Sequence, residues 1–385
     1  MRDDDDDDAG GAESEGKGEA SVGATSAAND PPADEPAAAV SSKRERPQIR
    51  RPPVLFSRTQ PIIARLEQVL GGTFVAYWCS TKASMRHEDV LALDHVLRWA
   101  VAQGRPLDHV FLFIRSDGGQ GTAALRMTNI LRARAQRVSA LVPLDAASAA
   151  TMLALGADEI FIGPLGYLSA VDTSIRHALS PVDHLNDRVS VSHDELTRLV
   201  RLWREQAAEP EPGAEAAAQN PWGALFPYVH PLVIGAVDRA SSLSIKLCSE
   251  ILSYHMEDPQ RAAEIARALN ANYPAHGYPI TLREAQRIGL DAKPLAPEVD
   301  ELLISLGQLY AEMGQRADTD FDPHNYHSNE IRKVFETRDL QLHYRVDMDW
   351  HYRESERRWT ALNDHSSWRE LRVIAGEEHA KVLHL

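Results

Sequence analysis

Four short apolar runs, FVAYWCS (74 to 80), HVFLFIRS (109 to 116), VSALVPL (138 to 144) and EIFIG (159 to 163), set the rhythm of the chain from about residue 54 onward. They are rich in β-branched and aromatic residues and too short for helices, which predicts strands. Amphipathic stretches at about 86 to 103 and 120 to 135 lie between the first three and predict helices. A β-α-β-α-β series with crossovers of that length predicts an α/β fold of repeated β-α units, mostly parallel strands and helices packed against them. In such sheets reactive groups gather beyond the carboxyl ends of the strands. Gly118, Gly119 and Ser148 fall just past two of those ends.

After Asp172 the pattern changes. Residues 192 to 208 read as a helix, 209 to 223 as a loop bearing Pro, Ala and Gly, and 231 to 271 as two helices interrupted near Asp258-Pro259. The segment YPITLREAQRIGLDAK (278 to 293) starts extended and becomes helical near Thr281, with Glu284 placed for a capping box. Pro294 to Pro297 closes this region, and 298 to 316 reads as one more helix. Residues 318 to 385 are rich in His, Trp, Arg and Asp without a helical or strand period, so 298 to 385 is read as a helical and irregular C-terminal extension. Trp350, Trp359 and Trp368 recur at intervals of nine and are expected to pack it onto the core or a neighbouring subunit.

Composition adds a tail to this picture. The 385 residues carry a formal charge of −15, of which −10 lies in residues 1 to 40, so the remainder is only mildly acidic at −5. That stretch, with its run Asp3 to Asp8, has too little apolar content to offset the entropy of ordering. With the basic patch Lys43 to Arg51 it forms a predicted disordered tail and linker over residues 1 to 50. The rest is not basic, which argues against nucleic acid as a partner. No apolar window of about 18 residues is present and the N-terminus is acidic, so membrane insertion and export are not expected and a cytoplasmic location is. Cys79 and Cys248 are expected to be buried thiols. Asp322, His324, His327, Asp347, Asp349 and His351 have ligand-like spacing but no frame to fix them; no metal and no cofactor is expected.

The candidate chemistry starts at Ala146-Ala147-Ser148-Ala149-Ala150, between a predicted strand and a helical run from Thr151. Alanines leave the hydroxyl uncrowded, and unpaired N–H groups of a first helical turn favour a developing alkoxide. The same residues also suit an ordinary helix start, with Asp145 or Ser148 as the cap. Gly118-Gly119 sits where a strand turns into a helix, and paired glycines there let amides point into a site. A phosphate loop lacks its Lys-Ser or Lys-Thr pair, and the glycine spacing does not fit a dinucleotide fingerprint.

Taken in order, Asp117-Gly118-Gly119, Ala147-Ser148-Ala149-Ala150-Thr151, Ala154-Leu155-Gly156-Ala157-Asp158-Glu159-Ile160, Leu168-Ser169-Ala170-Val171-Asp172, and His276-Gly277-Tyr278-Pro279-Ile280 with Gly289-Leu290 resemble the serine dehydrogenase proteinase family. This family has the Clp/crotonase fold and is related to signal peptide peptidase A and the Clp peptidases. The resemblance covers residues 54 to 297. The chain departs from the family pattern at Asp117, where a proline is usual and a carboxylate disfavours a nearby anion; at Ala149-Ala150, where glycines are usual; and at Asp172-Thr173-Ser174.

The resemblance implies a serine hydrolase, an ATP-independent peptidase acting on peptides or proteins as a homo-oligomer. Ser148 would attack a carbonyl, Gly118, Gly119 and Ala149 would supply the oxyanion hole, and His276 would act as base with Asp172 orienting it. Lys82 is a fallback base of the Ser-Lys type. Two other readings stay open: a Clp-fold binding or scaffold protein without chemistry, and crotonase-like acyl-CoA chemistry, for which no CoA surface is legible.

Overall fold

The first predicted strand is the centre of the fold because neither of its faces meets water. Strand β1 (Thr73–Cys79) is buried at every position, the signature of a strand covered on both sides. Its side chains alternate between two cores: Val75, Tyr77 and Cys79 enter one, Phe74, Ala76 and Trp78 the other. The computed structural model that shows this describes residues 47–184, 187–207 and 221–385. The expected disordered tail falls outside the described residues as far as residue 46, and so does most of the expected loop at 209 to 223.

In chain order, α1 (Phe56–Leu70) precedes β1, followed by α2 (His87–Ala102), β2 (His109–Arg115), α3 (Gly121–Arg134), β3 (Arg137–Val142), β4 (Asp145–Ala146), α4 (Ala149–Leu155) and β5 (Glu159–Ile162). The short strands β6 (Tyr167–Leu168), β7 (Ser174–Ile175) and β8 (Val191–Ser192) lead into α5 (His193–Ala207), α6 (Pro221–Leu225), α7 (Pro231–Leu252), α8 (Pro259–Ala271), α9 (Leu282–Ile288), β9 (Ala292–Pro294) and α10 (Pro297–Met313). The last part of the chain is β10 (Thr319–Asp322), β11 (Asn325–Thr337), β12 (Leu340–Arg353), β13 (Arg358–Asp364), β14 (Ser367–Ile374) and β15 (Glu377–Leu383).

Strands β1, β2, β3, β5 and β9 pair in parallel, as expected of repeated β-α units. Helices α2, α3, α4 and α7 contribute to the core on one face, α1 and α10 to that on the other. The fold is therefore α/β, with helices on both sides of a sheet. One expectation is overturned. Residues 318 to 385 are not irregular: β11 pairs antiparallel with β1, and β10 and β12 to β15 continue from it, giving an 11-stranded sheet. Of the three tryptophans, Trp368 enters the core, whereas Trp359 is exposed. Helix α9 starts after Thr281 as expected, but the capping box is absent, and Glu284 instead accepts from Tyr273 Oη at 2.9 Å.

Strand β11 escaped the pattern because its interior is polar. Lys333 is buried against Asp89 at 2.6 Å, Glu330 accepts from Lys82 at 2.6 Å, and Glu336 is fully buried. Glu336 accepts from Thr59 Oγ1 at 2.5 Å, Gln60 Nε2 at 2.8 Å and Gln341 Nε2 at 2.8 Å. The ligand-like histidines are part of the same ladder: His327 lies opposite Asp349 and contacts it through Nδ1 at 2.9 Å. Among the described residues no group of three or more His, Cys, Asp or Glu is placed to hold a metal ion, and no helix is long and apolar enough to cross a membrane. Cys79 and Cys248 are buried free thiols, each pushed up to about 12 by burial.

Burial also pushes the Glu336 carboxyl up to about 7. An acid whose pKa rises on folding holds its proton more tightly in the native state, so the stability it contributes is present below its unfolded value and is lost as pH climbs toward the folded one. Glu336→Gln keeps the shape, and Gln341, whose Oε1 has no partner, can turn to accept from the new amide. Thermal unfolding of the wild type should lose roughly 1–3 kcal/mol more than Glu336→Gln between about pH 5 and about pH 8. Parallel pH profiles of the two proteins would contradict this.

Candidate active site

Four segments distant in sequence lie side by side because their backbones are stitched together. Past the end of β2, Ser116 N–H donates to Asp145 O at 3.1 Å and Ala147 N–H to Ser116 O at 2.9 Å. β4 pairs in parallel with β6. Leu168 and Ile280 then exchange two backbone hydrogen bonds, at 3.0 and 2.7 Å. This ladder sets the Gly118 turn, the Ser148 corner, the segment ending in Asp172 and the loop containing His276 along one edge of the parallel sheet. They meet at a cavity of about 520 Å³ lined by Gly119, Ser148, Ala149, Asp172 and His276, with Met152, Val171, Leu243 and Leu247 among its apolar walls.

Ser148 sits at the junction of β4 and α4 in a rare backbone conformation, φ 54° and ψ −118°. Such a conformation in a non-glycine residue costs about 1–3 kcal/mol and persists only where surroundings enforce it. Gly118 makes room for that corner: at φ 102°, a Cβ there would lie 2.7 Å from Ser148 Cβ and 2.7 Å from Ala147 O. Gly119, at φ 145°, is equally required, since its Cβ would meet Met85 O at 2.4 Å. Ser148 occupies the N-cap position of α4 but its side chain makes no capping hydrogen bond. The hydroxyl is not spent on ending the helix.

The amides divide differently from the expectation. Gly118 N–H donates to Ser116 Oγ at 3.1 Å and is occupied. Gly119 and Ala149 both line the cavity, and neither N–H finds an acceptor among the described residues. These two N–H groups are left without an acceptor at the cavity. Asp117 does not line the cavity; its carboxylate lies 3.4 Å from Arg115 Nη2, which also reaches Asp145 at 3.1 Å. Burial, and then a hydrogen bond with Asp145, holds Asp117 above the ordinary carboxylate range.

His276 and Asp172 form a pair, Nδ1 to Oδ1 at 2.7 Å. The hydrogen bond to Asp172 raises the imidazole above its ordinary value, against the opposing effect of burial. With Nδ1–H donated to the carboxylate, a neutral ring carries its lone pair on Nε2. Sequence reasoning missed a second histidine in the cavity, His87 at the start of α2. Its Nδ1 lies 3.0 Å from Arg126 Nη1, which can only donate, so neutral His87 carries its proton on Nε2 and is the wrong tautomer for a base at that atom. Lys82 is drawn to Glu330 and does not line the cavity. No hydrogen bond joins Ser148 Oγ to His276 among the described residues, so the serine and the histidine-aspartate pair share a cavity without being linked in this structure.

No family model matches the chain. It is similar to an uncharacterized protein of Methanocaldococcus jannaschii, 24% identical over 226 residues, which are 58% of this chain and 66% of that protein. Among solved structures it is similar to a serine-to-alanine mutant of the 1510-N membrane-bound stomatin-specific protease, at 13% identity and a TM-score of 0.35, covering 64% of this chain and 88% of the other. A lysine-to-alanine mutant of that protease, in complex with a substrate peptide, gives 14% identity and 0.35 over 64% and 81% of the two chains. An asparagine-to-aspartate mutant of ClpP1 from Listeria monocytogenes gives 12% and 0.31 over 61% and 99%. These scores lie well below 0.5, so the fold stands on the sheet topology described above.

Proposed function

We propose that the chain is a serine hydrolase of the Clp/crotonase type, akin to the serine dehydrogenase proteinases, that cleaves peptide bonds through an acyl-enzyme on Ser148. The observation that carries the reading is the strained, uncapped Ser148, facing a cavity that also presents two unoccupied amides and the Asp172–His276 pair. His276 Nε2 takes the hydroxyl proton as Ser148 Oγ attacks the substrate carbonyl. The oxyanion accepts from Gly119 N–H and Ala149 N–H, and the imidazolium, steadied by Asp172, returns its proton to the leaving amine. Water then enters by the same route to free the acid. Catalytic hydrogen bonds are often open in unliganded sites and close on the substrate, which accounts for the unlinked serine and histidine.

That missing link also favours a second reading, a binding protein with this architecture and no turnover. A fluorophosphonate separates the two. Labelling of the wild type should be lost in Ser148→Ala, fall on the order of a thousandfold in His276→Ala, and change little in His87→Ala. Equal labelling of wild type and Ser148→Ala would remove the hydrolase reading.

The base must be neutral to act, so turnover should fall as pH drops through the raised His276 pKa. NMR titration of the imidazole in Asp172→Asn should place that pKa at or below the ordinary histidine value, because burial remains while the charge-assisted hydrogen bond is gone. An unchanged titration would show that Asp172 does not set the protonation of His276.

A further inference from the structure

We propose that Ser169 and Thr151 are positioning residues that hold Ser148 in its strained conformation and lock it to the segment bearing Asp172. The proposal rests on Ser148 being the nucleophile. Both side chains are fully buried, and neither touches the cavity. Ser169 Oγ accepts from Ser148 N–H at 2.8 Å while donating its own proton to Ala170 O at 2.9 Å. The second bond fixes the hydroxyl so that a lone pair faces the serine amide. Thr151, in the first turn of α4, does the reciprocal work: Oγ1 donates to Ala146 O at 2.7 Å and accepts from Ser169 N–H at 3.0 Å.

Two hydroxyls therefore bridge three pieces of chain: the residues just before Ser148, the first turn of the helix after it, and the strand end that reaches Asp172 three residues later. The geometry has a direct chemical consequence. Rotating the peptide that carries Ser148 N–H away from Ser169 swings the corner as a whole. It would move Oγ and redirect the next amide, Ala149 N–H, which is one of the two open donors. At the far end, Val171 N–H donates to Leu269 O at 3.0 Å and Ser244 Oγ to Val171 O at 2.5 Å, so the segment that Ser169 grips is itself anchored. A merely structural pair of buried hydroxyls would affect stability. A positioning pair must also affect the bond-forming step.

The test uses the full chain and three variants. Ser169→Ala removes the acceptor, Thr151→Val removes the second hydroxyl at constant shape, and Thr151→Ser restores it. Two quantities are read: hydrogen exchange of the ¹⁵N-labelled Ser148 amide, and fluorophosphonate reaction separated into reversible binding and covalent bond formation. We expect Ser148 amide exchange roughly tenfold or more faster in Ser169→Ala and in Thr151→Val. Bond formation should be roughly 10- to 100-fold slower with reversible binding little changed, and Thr151→Ser should behave like wild type. Unchanged exchange overturns the proposal, and so does faster exchange with unchanged bond formation. A wild type that does not react sinks the hydrolase reading instead. Exchange alone then decides whether the hydroxyls hold the corner: acceleration in both variants supports that, and no change overturns it.

Discussion

The site depends on one enforced backbone conformation. Ser148 is turned to a positive φ that a serine does not adopt unaided, and the cost is met by contacts that leave it no alternative. The bare Cα of Gly118 leaves room for its Cβ, the Ser116–Ala147 ladder fixes the chain before it, and Ser169 holds its amide. A side chain presented this way stands clear of its own helix, which leaves both the hydroxyl and the adjacent Ala149 amide facing the cavity. Relaxation of that corner would still leave an α/β fold. It would no longer leave the arrangement on which the proposed chemistry rests.

β1 is buried on both faces and flanked by β2 on one side and β11 on the other, so the sheet continues past the point where an α/β unit of this kind would end in an exposed edge. Added strands of this sort cover an otherwise open row of backbone groups. They are held by polar contacts as much as apolar ones. Lys333 reaches back to Asp89 on α2, and Glu336 to Thr59 and Gln60 on α1, so the C-terminal strands are tied to helices on both sides of the sheet. β2, in turn, ends in the Gly118 turn.

What was legible in the sequence follows from where each signal resides. The parallel strands and their helices are written in local hydrophobic period, and the fold class follows from their alternation. The strand-end turns at Gly118, Gly119 and Ser148 are visible in the sequence because small residues at strand ends are a local signal. The antiparallel half was not. Glu330, Lys333, Glu336 and Gln341 are buried, and the first three meet Lys82, Asp89, and Thr59 with Gln60, side chains that no local window contains, so period-2 alternation is masked. His87 was missed for a related reason: it opens a helix, and the pairing of Met85 with Gly119 and its contact with Arg126, both distant in sequence, set it at the cavity. Which amides stay free needed coordinates too, since nothing in the residue names says that Gly118 N–H is already taken by Ser116.

In the proposed mechanism the His276–Asp172 pair and the strained Ser148 are two halves that must close on a ligand. A crystal structure of the phosphonylated protein tests that closure most directly. Phosphorus should be bonded to Ser148 Oγ, with one phosphoryl oxygen about 2.7–3.1 Å from both the Gly119 and Ala149 nitrogens and His276 Nε2 turned toward the serine oxygen. Phosphorus on another residue, or an adduct on Ser148 whose oxygen points away from both amides, would contradict it.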